Sequence, residues 1–367
     1  MPRFQAEPPH QHGSAPGTAV VVVNLGTPEA PTAPALKRYL RQFLSDPRVV
    51  EIPRALWWLI LNGIILNIRP KKSAAKYASV WMAEGSPLKV HTERQTQFLA
   101  GHLGERGHHL TVTSAMRYGA PSVPAVLDRL KAAGVTKILL LPMYPQYSAS
   151  TTATVIDEAC RWLLTQRNQP EMRFVRNFHD DPTYIQALAQ TVLDHWMKHG
   201  RLAAGDQLII SFHGLPRRNL DLGDPYYCEC MKTGRLLAER LNLGPEQHRI
   251  CFQSRFGKAE WLQPYTAPTL EALAKAGTGR VDVICPGFVA DCLETLEEIA
   301  MEGKVSFMGH GGREFHYIPA LNENQGWLNA LTSIVERHLG GWPSQEKADP
   351  DALAATARLA KTYGARS

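Results

Sequence analysis

Short apolar runs rich in β-branched residues alternate with longer amphipathic stretches through most of this 367-residue chain. Buried strands that alternate with helices are typical of parallel α/β sheets. The predicted strands are 19–24, 110–114, 137–141, 173–177, 207–212, 249–253 and 281–285. Helical patterns lie between most of them, at 89–103, 123–133, 183–199 and 234–241. Strands spread over this length are easier to place in two sheets of similar size than in one.

The same alternation predicts two domains between less regular ends. Apolar content falls near 165–172, which predicts a boundary there. The predicted segments are a flexible leader at 1–17, an N-terminal domain at 18–168, a C-terminal domain at 169–320, a helix at 321–340 that packs back on the first domain, and a peripheral tail at 341–367. An Ala-rich stretch at 349–363 predicts a helix in that tail.

Charge and hydropathy disfavour two classes of protein. The chain has 40 Lys and Arg against 34 Asp and Glu, a net charge of +6, and its basic residues are scattered, so we expect no nucleic-acid partner. The longest charge-free apolar stretch is 55–68, and as a helix it would span about 21 Å of a hydrocarbon layer about 30 Å thick. No secretory signal is visible in the first 20 residues, which predicts a cytoplasmic protein.

Motifs for two kinds of cofactor are missing or incomplete. No GxGxxG follows the first strand and no GxxxxGK[ST] occurs, so we expect no bound nucleotide. Among the six cysteines, Cys228 and Cys230 form the one close pair. We interpret them as free thiols in a loop, with half of a metal or iron–sulfur site as the alternative.

Polar side chains follow predicted strands at the edge where parallel sheets bind ligands. His213 comes directly after 207–212 and is either a structural histidine or a residue that faces a cleft. Asp291, Glu294 and Glu298 follow the last predicted strand. Asp291 is interpreted as a helix N-cap, with Glu294 completing a capping-box-like pattern. On one helix face, the three carboxylates suit proton abstraction or a divalent first-row metal if that face lines a cleft.

The segment 54–72 combines an apolar stripe with a basic rim. Trp57 and Leu59 belong to the stripe, and Arg69 and Lys72 belong to the rim. One interpretation is a buried core helix. The other is an apolar lip that binds a flat acidic ligand or makes peripheral contact with a membrane surface, here its inner face. With the imidazole and carboxylates above, the second interpretation predicts a cleft for a large apolar anion.

At this point the sequence strongly resembles the ferrochelatase family, whose members insert iron into protoporphyrin. The match runs in order from about residue 18 to residue 340. The residues that carry it are 24–28 (NLGTP), 85–88 (GSPL), 116–118 (MRY), 141–148 (LPMYPQYS), 211–216 (SFHGLP) and 287–297 (GFVADCLETLE).

The resemblance implies two similar Rossmann-like domains of the class II chelatase type, each a parallel sheet flanked by helices, with a cleft between them. It implies a bacterial-type lyase that inserts Fe²⁺ into protoporphyrin IX, giving protohaem and two protons in the terminal step of haem biosynthesis. Fe²⁺ and the porphyrin are then substrates. The alternatives are a chelatase for another tetrapyrrole or metal and a non-catalytic porphyrin or haem carrier, and either a monomer or a homodimer fits.

Site residues also follow from the resemblance. His213 and Glu294 are implied to be the central catalytic and metal-binding pair, and Glu298 to continue an acidic path in a locally widened helix. The residues implied to bind the porphyrin are Arg117, Tyr118, Ser86, Leu25, Trp57 and Leu59, with Ser86 and either Arg69 or Lys72 near the propionates.

The chain departs from the family pattern at its cysteines. Cys292 stands two residues before Glu294, where many relatives carry a histidine. No cysteine follows Cys292, so the Cys-rich extension that holds an iron–sulfur cluster in animal relatives is missing. We therefore do not expect a [2Fe-2S] cluster, and Cys228, Cys230 and Cys251 keep that alternative open.

Overall fold

Two four-stranded parallel sheets form the frame of this computed structural model, which describes residues 4, 6–9 and 11–365. The first sheet has the order β2-β1-β3-β4 and the second has the order β6-β5-β7-β8. The strands are β1 (Gly17–Gly26), β2 (Thr111–Tyr118), β3 (Val135–Pro142), β4 (Glu171–Phe174), β5 (Gln207–His213), β6 (His248–Gln253), β7 (Arg280–Ile284) and β8 (Glu314–Tyr317). Two parallel α/β sheets are the architecture that the sequence predicts.

Helices connect and flank these strands. The α-helices are α1 (Ala33–Leu44), α2 (Arg54–Ile60), α3 (Leu66–Val80), α4 (Pro87–Glu105), α5 (Val123–Ala132), α6 (Thr152–Leu163), α7 (Pro182–His199), α8 (Arg217–Asp221), α9 (Tyr226–Leu241), α10 (Thr266–Lys275), α11 (Leu293–Thr295), α12 (Lys304–Gly309), α13 (Gln325–Leu339) and α14 (Pro350–Thr362). Two π-helical stretches, π1 (Leu61–Ile65) and π2 (Leu296–Gly303), each interrupt a longer helix. Within the described residues, no helix combines the length and apolar character needed to cross a membrane.

Each predicted strand has an observed counterpart, but β8 was not predicted. Its sequence, Glu-Phe-His-Tyr, has one buried apolar residue, Phe315, and is too short to show an alternating pattern. The strand is defined by its parallel pairing with β7, which a local pattern does not reveal.

One hydrophobic cluster joins the two sheets. It contains Val20 and Leu139 from the first sheet, Leu208 and Ile210 from the second, and the fully buried Trp327 of α13. Helix α13 packs on α4 and β3 and also on α7. The two sheets therefore share a core, which fixes the carboxyl ends of their strands relative to each other.

The first sheet and the predicted domain boundary do not coincide. Strand β4 pairs with β3, so the first sheet extends to Phe174, beyond the boundary predicted at 168. Within the predicted leader, the Glu7 carboxylate accepts hydrogen bonds from the backbone of Arg167 and Asn168 and pairs with Lys131. The remaining leader residues (1–3, 5 and 10) and tail residues (366–367) lie outside the described part.

Candidate active site

The turn that leads from β7 into the acidic segment has a different cap from the predicted one. Cys292, and not Asp291, is the N-cap of α11, and its backbone N–H donates to the Thr295 hydroxyl at 3.0 Å. Asp291 instead accepts hydrogen bonds from Thr295 at 2.9 Å and from the Tyr317 hydroxyl at 2.5 Å. A buried carboxylate with several donors is satisfied where it stands, so Asp291 fixes this turn to β8.

Glu294 and Glu298 lie where α11 passes into the widened helix π2. Glu294 is in α11, and Glu298 is in π2, whose backbone turns more widely than an α-helix. A widened turn is less stable than a regular α-helical turn unless tertiary contacts hold it. Such turns are frequent at functional sites. This is the widening that the resemblance implied.

Glu298 is a mostly buried carboxylate with two donors. The backbone N–H of Ser254 donates to Oε1 at 2.6 Å, and the Ser254 hydroxyl donates to Oε2 at 2.5 Å. Burial raises the pKa of Glu298, the Ser254 bonds and His213 oppose that rise, and the neighbouring Glu294 adds to it. His213 and Glu294 are therefore each close enough to Glu298 to act on its carboxylate electrostatically.

His213 ends β5 with one ring nitrogen committed to the backbone. Its Nδ1 lies 2.6 Å from the carbonyl oxygen of Gly214. A carbonyl oxygen only accepts, so Nδ1 carries a proton, and in the neutral ring Nε2 has the lone pair. The ring also meets Phe288 edge to face, with centroids 6.4 Å apart. The imidazole is thus oriented and has one nitrogen available for a metal or a proton.

Gln253 holds the backbone at Glu294. Its side-chain amide donates to the Glu294 carbonyl oxygen at 2.8 Å and accepts from the Ser211 hydroxyl at 2.8 Å. Gln253 is 3% exposed, and Ser211 is fully buried in β5. The start of the acidic helix is therefore attached directly to Gln253 at the end of β6 and, through Gln253, to Ser211 of β5.

The first sheet contributes the facing side of the site. Tyr39 and Tyr77 are buried, and burial together with the nearby Glu294 raises the pKa of both phenols. Leu25, at the end of β1, and Leu293 pack against one hydrophobic cluster. Residues from the ends of both sheets thus meet around Glu294.

Arg117 and Tyr118 lie beneath this side and are both buried. Asp46 accepts from Arg117 Nη2 at 2.6 Å and from the Tyr118 hydroxyl at 3.0 Å. The Arg117 Nε and the Tyr144 hydroxyl are buried without hydrogen-bond partners. Buried donors of this kind mark places where a water or ligand atom would bind.

Ser86 serves a local structural role. It is the N-cap of α4, where its hydroxyl accepts from the Lys89 backbone at 3.4 Å, and it is 1% exposed. Arg69 stacks on the Phe256 ring at 4.4 Å, and Lys72 is exposed. Of the three residues placed by resemblance near the propionates, Lys72 alone has an exposed side chain.

Segment 54–72 agrees in part with each interpretation of its sequence, the buried core helix and the exposed apolar lip. Trp57 is 7% exposed and donates its indole N–H to the Leu44 carbonyl at 2.6 Å, so it belongs to the core. Leu59 is 61% exposed. The large apolar side chains that share this exposure are Leu56, Trp58, Ile64 and Ile68. The segment is therefore buried on one face and presents an apolar surface on the other.

The cysteines of the close pair lie on a helix and not in a loop. Cys228 is exposed and Cys230 is buried, both on α9, and both are free thiols. The structure does not bring Cys228, Cys230 and Cys251 together as a ligand group. Burial and the neighbouring Glu294 raise the pKa of Cys292, so this position holds a neutral thiol where an imidazole is common in the family.

Sequence reasoning did not single out Ser254, Gln253 or Asp46. A signal existed for the first two, because Gln253 ends a predicted strand and Ser254 follows it, at the edge that also bears His213. Asp46 follows α1 in a loop, and its contact with Arg117 joins residues distant in sequence. A local pattern contains no signal for it.

Comparison with solved structures places the fold among chelatases. The chain resembles SirB from Bacillus subtilis with Fe³⁺, at a TM-score of 0.54 and 12% identity, over 91% of this chain and 100% of that chain. It also resembles the sirohydrochlorin chelatase SirB from Bacillus subtilis subspecies spizizenii in complex with cobalt, at a TM-score of 0.50 and 10% identity, over 89% and 98% of the two chains. The likeness defines a chelatase fold of two Rossmann-like domains.

Sequence comparison then gives the family. The ferrochelatase family model matches residues 17–339. The ferrochelatase of Dechloromonas aromatica (strain RCB) is 71% identical, and that of Aromatoleum aromaticum (strain DSM 19018 / LMG 30748 / EbN1) is 61% identical; in both cases 100% of each chain is covered. The chain belongs to the ferrochelatase family.

Proposed function

We propose that this protein inserts Fe²⁺ into protoporphyrin IX, with His213 and Glu294 as the central pair. Membership of the ferrochelatase family supports the reaction. The observation that carries the choice of residues is their attachment to β6. Gln253 donates to the Glu294 carbonyl oxygen at 2.8 Å and pairs with His213 of β5. Ser254 donates to the Glu298 carboxylate at 2.6 Å. An imidazole and carboxylates at one place supply both metal ligands and proton acceptors.

Metalation replaces two pyrrole N–H protons with one Fe²⁺, so a base must take two protons away from the ring. His213 has a lone pair on Nε2 because Nδ1 is committed to Gly214. Glu294 is the carboxylate that the family resemblance pairs with His213, and we assign metal delivery and proton removal to the pair jointly. Few and mixed ligands hold iron loosely enough to release it to the porphyrin.

Glu298 continues the route for protons behind Glu294. Its raised pKa brings the carboxyl nearer to the working pH than that of an exposed glutamate. The hydrogen bonds from Ser254 oppose that rise of the pKa and so favour the charged carboxylate. Together they give a group that can take a proton and pass it on.

The porphyrin would bind across the facing side of the site. Leu25 and Leu59 are proposed contacts, and Arg117 reaches the macrocycle or a bound water through its unpartnered Nε. Tyr118 and Trp57 are buried and support this wall by packing. A wall held by such contacts can bend the ring and expose its nitrogen lone pairs, which favours the transition state.

Segment 54–72 is proposed to bring the protein to the inner face of the membrane from the cytoplasm. Its exposed apolar side chains lie beside basic residues, at Arg54, Lys71 and Lys72. Apolar side chains with a cationic rim bind anionic lipid surfaces. The same face could also receive a greasy, acidic porphyrin.

An anaerobic assay tests the reaction directly. Purified protein is mixed with Fe²⁺ and protoporphyrin IX, and the Soret and visible bands are followed. Conversion to the haem spectrum supports the proposal. A porphyrin spectrum that shifts on binding without conversion, in parallel with turnover of coproporphyrin or of Zn²⁺ or Co²⁺, would assign the site to another substrate.

A further inference from the structure

Three histidines meet in an open cavity of about 560 Å³ away from the proposed pair. His195 and His199 lie one turn apart on α7, and His316 lies on β8. Their ring centroids are 4.5 to 5.0 Å apart. One nitrogen from each ring lies within 4.8 Å of the others.

These distances are close to those of a metal site. Tetrahedral Zn²⁺ holds imidazole nitrogens at about 2.0–2.1 Å, which places two such nitrogens roughly 3.3 Å apart. The nitrogens here are up to 4.8 Å apart, so the rings would turn inward by about 1.5 Å to bind a metal. Histidines at i and i+4 on a helix present their rings on one face, so the backbone already provides the spacing.

His195 is an imidazole without a partner for its buried nitrogen. Its side chain is 10% exposed, and its Nε2 has no hydrogen bond. Asp282 lies 3.8 Å away and is already bound by Arg280 and Trp196. In its neutral form the His195 ring has a lone pair available for a metal.

His316 has the supporting carboxylate that metal-binding histidines commonly have. Its Nε2 lies 2.5 Å from Glu314 Oε1. The carboxylate keeps the proton on Nε2 and leaves the Nδ1 lone pair for a metal. Lys198 and Lys304 line the same cavity, and their positive charge favours hydroxide, another anion or the oxygen of a water molecule as the fourth ligand.

We propose that His195, His199 and His316 form a second metal site for a borderline divalent cation such as Zn²⁺, Co²⁺ or Ni²⁺, with an open fourth position. Imidazole ligands favour these ions over Mg²⁺ or Ca²⁺. A metal held there cross-links α7 to β8. Because Tyr317, the next residue on β8, donates to Asp291, the same link supports the turn before the acidic helix.

Co²⁺ binding without porphyrin tests the site independently of the proposed activity. Untagged protein is stripped with EDTA and titrated, and bound Co²⁺ is counted by equilibrium dialysis and by its visible absorption. Wild type should bind one more Co²⁺ per chain than His199→Ala or His316→Gln. His310→Ala, which removes an exposed histidine, is the matched control and should behave as wild type.

Thermal unfolding provides a second readout. Zn²⁺ should raise the Tm of wild type and of His310→Ala by more than it raises the Tm of His199→Ala, which keeps only the proposed site at His213 and Glu294. His199 is exposed, so its replacement should leave the metal-free Tm as in wild type and keep the comparison valid. Equal Co²⁺ stoichiometry in wild type, His199→Ala and His316→Gln would overturn the proposal.

Discussion

Ser254 donates two hydrogen bonds to the carboxylate of Glu298, from its backbone at 2.6 Å and from its hydroxyl at 2.5 Å. These bonds and His213 favour the charged carboxylate. Burial and Glu294 favour the protonated form, and their combined effect on the pKa is larger. The pKa of Glu298 is therefore above its ordinary value of 4.5. Ser254, His213 and Glu294 therefore tune its proton uptake together.

Removing the Ser254 hydroxyl should move the acid limb of the rate profile. As the pH falls, Glu298 takes up a proton and can no longer accept one from the porphyrin. Ser254→Ala removes a donor that lowers the Glu298 pKa, so the pKa rises further and kcat/KM is lost at a higher pH. The measurement is the pH dependence of kcat/KM for iron insertion.

The backbone of Ser254 allows a matched control. Its φ of 64° lies in the left-handed region that favours glycine. Ser254→Gly also lacks the hydroxyl but has no strain at this φ. Both variants should show the same shift, and an acid limb that stays at the wild-type pH in both would contradict the role of Glu298.

Gln253 should affect rate through the position of Glu294. Gln253→Leu removes the donor to the Glu294 carbonyl and leaves that buried oxygen without it. We expect a loss of about 1–3 kcal/mol in the free energy of unfolding, and a lower kcat with porphyrin affinity retained. Gln190→Leu, on the exposed face of α7, is the control. A wild-type kcat in a folded Gln253→Leu would exclude this positioning role.

Substitutions at Trp57 and Leu59 should have different effects, the first on protein stability and the second on porphyrin affinity. Trp57→Ala opens a cavity in the core and should cost about 3–5 kcal/mol of unfolding free energy. Leu59→Ala should leave stability nearly unchanged and weaken porphyrin affinity, measured by quenching of Trp fluorescence. Leu359→Ala is a matched control, because its side chain is 58% exposed against 61% for Leu59 and lies on α14. Equal porphyrin affinity in Leu59→Ala and Leu359→Ala would show that Leu59 does not contribute to porphyrin binding.

Asp46 should be required to keep Arg117 buried. The two side chains are 4% and 6% exposed and lie 2.6 Å apart. Asp46→Ala leaves the guanidinium with Glu158 at 3.4 Å as its remaining carboxylate, so we expect a loss of about 3 kcal/mol in urea unfolding. Asp46→Ala/Arg117→Met should recover part of that loss. Additive losses in the double variant would show that the pair is uncoupled.

The sequence predicted most of the frame because the central strands of the two sheets are largely buried. Apolar runs such as 19–24 can be recognised as strands without knowledge of the strands that they pair with. His213 directly follows another such run. Strand β8 could not be predicted, since pairing with β7 defines it. The cap at Cys292 and the Asp291 contacts depend on Tyr317 of that same strand.

The packed face of segment 54–72 was not predicted. Trp57 and Leu59 both lie in α2, before π1, where residues two positions apart on a regular helix point to different faces, but the apolar pattern does not show which face is buried. Likewise, His195 and His199 show their spacing in the sequence, but His316 joins them through a strand that was not predicted. Contacts between distant segments decide these sites.

The most direct test of the central claim compares wild type with Glu294→Gln in the anaerobic assay with Fe²⁺ and protoporphyrin IX. Glutamine keeps the size of the side chain and removes the proton acceptor. We predict a loss of at least about 10²-fold in kcat, with porphyrin still bound. Glu302→Gln, an exposed carboxylate of the same π2 helix, should match wild type. Haem formation by Glu294→Gln at the wild-type rate would contradict the account.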